Sequence, residues 1–170
     1  MYFLQEKANI HETLFSELPD PEWAAEVQQS QQEASLVEQV SAQQTRQCLQ
    51  RIIEQVCSTD ERRVILLQEQ GERLEAIAQM LRLNPSTVRT HLMRGRAKVL
   101  AYIVQHEPAL VGGSAAIEHA IERHRRESNW RDQLTVKELD ALRHPERNQR
   151  LLRKACLKIA RFLWIAQLLP

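Results

Sequence analysis

Between Arg82 and Leu100 the chain carries five basic side chains and no acidic one. Ser86, Thr87, Arg89, Thr90, His91, Arg94, Arg96 and Lys98 are the residues there whose types can do chemistry. They follow Asn84-Pro85, a helix start with Asn as the cap and Pro at the first helical position. Short hydroxyls and a guanidinium in the first turns of such a helix (Ser86, Thr87, Arg89, Thr90) can reach base edges in a DNA major groove. The cations further along (Arg94, Arg96, Lys98) then lie over phosphates and make binding depend on salt. Helix N-terminal amides offer a further place for a phosphate oxygen. The solvated basic face of an ordinary helical hairpin would read the same way, so the surrounding elements must decide between them.

No comparable set points to catalysis. The chain has no phosphate-cradling Gly loop, no nucleophile elbow and no HExxH. Cys48, Cys57 and Cys156 are odd in number, form no CxxC and sit at apolar positions of helical patterns. That predicts free, buried thiols in a reducing compartment. His119, Glu122 and His124 miss the spacing that puts a His pair on one helix face, and no further ligand cluster joins them. The expectation is a protein that is not an enzyme and needs no metal or cofactor.

The elements that must position the basic residues are helical. Gly and aromatic residues are scarce, whereas Gln, Glu, Arg, Leu and Ala, all good helix formers, are abundant. An all-α chain is expected. Ser58 and Glu61 have capping-box spacing and start a helix that carries Val64, Ile65, Leu66 and Leu67 and stops at Gly71. A second helix is expected over residues 72–81, a short turn at Arg82-Leu83-Asn84, and a third helix over 85–105. Two short helices around such a turn match the helix-turn-helix pattern. Ile77, Ala78, Leu81, Val88 and Leu92 are spaced to close a small core between them, and the small Ala78 lets the helices cross closely.

Taken together, residues 59–103 resemble the promoter-reading region 4 of bacterial RNA polymerase sigma factors. The resemblance rests on Glu61-Arg62-Arg63-Val64 with Leu66-Leu67 and Gly71, on Glu75-Ala76-Ile77-Ala78 with Leu81, and on Ser86-Thr87-Val88-Arg89, Leu92 and Arg94-Gly95-Arg96 with Leu100. The same stretch also resembles the LuxR-type helix-turn-helix through Thr87-Val88-Arg89-Thr90-His91-Leu92. His91 stands where sigma factors usually have a basic residue; a His still meets phosphate, with less charge at pH 7.

The resemblance implies two surfaces. The third helix would bind double-stranded promoter DNA at a −35-like element. The first part, with Arg62, Arg63 and Leu67, would dock on the flap of the RNA polymerase β subunit. Upstream, Leu18-Pro19-Asp20-Pro21-Glu22 and a Gln-rich helix resemble the linker that precedes region 4 in small sigma factors. Residues 1–20 leave no room for the promoter-melting region of a full sigma factor, so this chain alone would not open DNA. A protein-interaction adaptor that uses the same fold to hold polymerase or another partner is the competing reading.

The rest of the chain divides by charge. Residues 1–58 carry 3 basic and 9 acidic side chains, residues 59–105 carry 8 and 5, and residues 106–170 carry 12 and 8. This predicts an acidic linker and helix over 1–58, a DNA-binding domain over 59–106 and a C-terminal helical domain over 115–170. His106-Glu107-Pro108 and Gly112-Gly113-Ser114 read as the linker between the last two. Helices are expected over 115–126, from Thr135 to near His144, and over 146–168. The last carries a stripe of Leu152, Ala155, Cys156, Ile159, Leu163 and Ala166. That stripe either packs within the chain or forms a homodimer or partner interface. No signal peptide or bilayer-length apolar run occurs, so no membrane partner and a cytoplasmic location are expected.

Overall fold

The computed structural model describes residues 21–127 and 134–165. Among these, every regular element is helical. The expected amphipathic stretch over 9–18 lies outside the described residues, as does Ala166. Helix α1 is Pro21–Val56, α2 Thr59–Glu69, α3 Leu74–Leu81 and α4 Pro85–His106. A 3-10 turn, Pro108–Val111, leads into α5 (Gly113–Glu127), α6 (Val136–Arg143) and α7 (Gln149–Ile159). The chain divides into two compact units, residues 1–43 and 44–170. In the first, the described residues belong to α1.

The second unit is built around α4. The side of α4 carrying Val88, Leu92, Gly95, Val99 and Ile103 is buried against α2 and α3. Its later turns also bury Ala97, Leu100 and Val104, and α7 packs there. Ile52 and Ile53 of α1, Val64 and Ile65 of α2, Ile77 of α3 and Leu152, Ala155 and Ile159 of α7 join the same buried cluster. Each such Val, Leu or Ile side chain contributes about 1.5–3 kcal/mol on burial. Leu152, Ala155, Cys156 and Ile159 of the expected stripe are therefore part of the chain's own core, and Leu157 is the large apolar residue α7 leaves exposed.

The capping box expected at Ser58 forms, and Thr135 and Glu138 form a second one. The Ser58 and Thr135 hydroxyls accept from the Glu61 and Glu138 amides, and each Glu carboxylate accepts from the cap residue's own amide at 2.8 Å. Two expectations need correction. The segment around Gly112 and Gly113 is not a free spacer. It is a tight 3-10 turn whose Val111 is buried and which packs on both α4 and α5. The final helix is also shorter than residues 146–168. It begins after Asn148, whose side chain caps Leu151, and ends at Ile159. Continued as helix, Phe162, Leu163, Trp164 and Ile165 would point round the whole axis; the break lets Trp164 and Ile165 turn into the core.

Candidate nucleic-acid interface

The turn between α3 and α4 sets the geometry. Arg82 adopts a left-handed conformation (φ 54) and Leu83 donates back to the Ala78 carbonyl at 2.9 Å. This closes α3 in the manner of a Schellman cap, with an Arg at the position that favours glycine. The Asn84 side chain then accepts from the Ser86 amide at 3.0 Å and starts α4. Ala78 and Val88 are both buried where the two helices cross.

Helical spacing places Thr87, Thr90, Arg94 and Lys98 on one strip of α4, next to the buried side that carries Val88, Leu92 and Gly95. Ser86, Arg89, Thr90, Arg94 and Lys98 are exposed, and Thr87 and His91 are half-buried. Arg89 is exposed on a different side of the helix, about 100° round the axis from Thr90. Neither Arg89 nor Arg94 has an ion-pair partner among the described residues.

Three sequence-predicted roles look different in three dimensions. Arg96 is not on the strip. Its guanidinium lies over the Trp164 ring, 5.1 Å from the centroid, and burial lowers its pKa against the opposing pull of Glu69. The Lys98 ammonium donates to Glu61 at 2.7 Å, so its charge is shared with a buried carboxylate. The first-turn amides are already engaged. Ser86 donates to the Asn84 side chain, and Thr87 and Val88 donate to the Asn84 carbonyl. No phosphate need be accommodated there.

The hydroxyls are also oriented. Ser86 Oγ donates to Asn84 Oδ1 and Thr90 Oγ1 donates to the Ser86 carbonyl, each at 2.9 Å. With their protons turned inward, the outward lone pairs accept, which suits the exocyclic amino groups of adenine and cytosine.

Gly95 explains the Arg-Gly-Arg sequence. A Cβ there would come within 2.6 Å of Ile65 Cδ1 and 3.3 Å of Glu61 Cβ. Only glycine lets α2 cross α4 this closely. Cys57 donates to the Gly95 carbonyl at 3.7 Å, and burial pushes its thiol up to about 11.

Of the residues expected to meet polymerase, Arg63 is exposed. Arg62 is half-buried and donates to the Glu54 carbonyl at 2.9 Å, and Leu67 packs against the core. The exposed apolar residues nearby are Leu66 on α2 and Met80 on α3. Helix phase decides which of the adjacent Leu66 and Leu67 faces outward, and the pair alone did not reveal it. The Lys98–Glu61 bond escaped sequence reasoning because it joins residues 37 apart in sequence, each already given another role.

No group of His, Cys, Asp or Glu among the described residues could hold a metal ion. No helix among them is long and apolar enough to cross a membrane. No curated protein and no solved structure matches the chain. One family does: residues 46–99 match Sigma-70, region 4, a DNA-binding helix-turn-helix of the transcription machinery that is not itself catalytic. The stretch running from the last turns of α1 through most of α4 is thus similar to sigma-70 region 4, a module that in general interacts with DNA and RNA polymerase.

Proposed function

We propose that this chain is a non-enzymatic, cytoplasmic transcription protein that binds double-stranded promoter DNA, at a −35-like element, through residues 85–98, within a DNA-binding domain spanning 59–106. One observation carries the reading. Thr90 and Arg94, with the half-buried Thr87, form a solvent-facing strip on a helix whose neighbouring side is packed into the helix-turn-helix core. Ser86, Thr87, Arg89 and Thr90 would meet bases, Arg94 and His91 phosphates. Lys98 would reach a phosphate while keeping its bond to Glu61. Arg96 would act from its stack on Trp164 by holding the helix in place. The polymerase β-subunit flap would dock around Arg63.

A second reading has its own support. Leu66 and Met80 are exposed large apolar residues on α2 and α3, away from the strip. They suit an adaptor that holds polymerase or another protein partner. Affinity purification of the tagged chain from its own cells, with and without nuclease, separates the two. Polymerase subunits that survive nuclease, combined with DNA binding lost in Arg89→Glu, support the promoter-binding reading. Partner binding that survives Arg89→Glu, in a chain with no DNA affinity of its own, supports the adaptor.

A further inference from the structure

Helix α7 does more than close the core. A groove runs along the exposed side of the later turns of α4, lined by Val56, Arg94, Lys98, Tyr102, Arg153 and Leu157 among others. Three cations line this groove and no acidic residue does. It continues the strip that begins at Thr87.

Of the four cations of α7, Arg150 is exposed and does not line the groove, and the other three separate into two sets. Lys154 and Lys158 turn to the buried Glu138, at 3.5 and 2.9 Å. Arg153 lies on the other side, exposed, with no ion-pair partner among the described residues. Since Glu61 already holds Lys98, Arg94 and Arg153 are the two unengaged cations lining the groove.

The length of α4 says what reaches them. From Thr87 to Lys98 the helix rises about 16 Å, while a major groove is about 12 Å wide. A helix seated by its first turns therefore meets the phosphate backbone at about Arg94. Of the elements packed on α4 near that level, α7 is the one that places a further cation, Arg153, in the same groove as Arg94.

We infer that α7 is part of the DNA interface: Arg153, with Arg94, clamps the phosphate backbone as it leaves the recognition strip. This rests on the DNA-binding reading above and adds a contact from outside the residues matched to region 4.

The test is fluorescence anisotropy of the full chain on mixed-sequence duplex DNA across a salt series, comparing Arg153→Gln, Arg153→Lys, Arg94→Gln and Arg123→Gln. Arg123 is exposed on α5 and does not line the groove, so it controls for charge alone. Arg153→Gln should weaken binding several-fold and lower the slope of log K against log salt by about 0.9, the loss of one phosphate contact. Arg153→Lys should keep the slope, and Arg123→Gln should leave affinity and slope as they were. A wild-type slope for Arg153→Gln beside a reduced slope for Arg94→Gln would overturn the α7 contact and leave the DNA reading standing. Unchanged slopes for both would overturn the DNA reading of this face as well. Equal losses for Arg153→Gln and Arg123→Gln would reduce the effect to net charge and overturn the clamp. Circular dichroism confirms that each variant, changed only at an exposed side chain, is folded.

Discussion

Lys98 on α4 donates to Glu61 on α2 across 2.7 Å, and the same carboxylate accepts from the Ser58 amide at 2.8 Å. One buried carboxyl thus caps α2 and fixes the helix that carries the exposed strip. Burial alone would raise its pKa; Lys98 and Ser58 outweigh burial and hold it below the ordinary value. Glu61→Ala should cost about 1–2 kcal/mol as the loss of a cap, more than Glu61→Gln, which keeps an acceptor for Ser58. Urea unfolding of the two variants measures the difference. Equal stabilities for Glu61→Ala and the parent would dismiss this role.

Glu138 repeats the arrangement on α6. It is fully buried, and although burial favours the neutral form, the Thr135 amide and Lys158 bring its pKa down to about 2. A carboxyl held this low stabilises the fold at any pH above its unfolded value of about 4.3. That stabilisation is lost as pH falls from there toward 2. Unfolding midpoints followed down through this window should drop less steeply in Glu138→Gln than in the parent.

Gly95 leaves no room for a side chain between α2 and α4. In Gly95→Ala the added Cβ meets Ile65, itself buried with little freedom to move. A loss of about 1–3 kcal/mol is expected, the range for overpacking a core. Thermal unfolding checks it, and a variant as stable as the parent would contradict the close crossing.

Arg82 is the converse case. It holds a positive φ that costs a non-glycine residue about 1 kcal/mol. Arg82→Gly should raise stability by up to about that amount, because the turn keeps its shape while the strain is removed. A lower denaturation midpoint in Arg82→Gly would show that the turn depends on the Arg side chain instead.

How much of this was legible in the sequence follows from the range of each signal. Caps are local, so Ser58, Asn84 and Thr135 announced their helices correctly. The core of the helix-turn-helix came from spacing, and Ile77, Ala78, Val88 and Leu92 are buried as their periodicity implies. What failed was long-range. Nothing near Arg96 in sequence announces Trp164, and nothing near Gly112 says that the turn packs on α4. The apolar run after Ile159 marks burial without saying whether the chain stays helical, so periodicity overstates the length of the last helix. The strip itself was read as a set of residue types; only the fold shows that Arg96 leaves it and that Arg153 approaches it.

The central claim is that the exposed strip of α4 reads duplex DNA. The most direct measurement is selection of bound duplexes from a random-sequence pool by the full chain, followed by affinity measurements on the enriched site for the parent and Arg89→Glu. The account predicts enrichment of a common site, tight salt-dependent binding by the parent and its loss in Arg89→Glu. A pool that does not converge, or an Arg89→Glu chain that binds the enriched site as tightly as the parent, would contradict it.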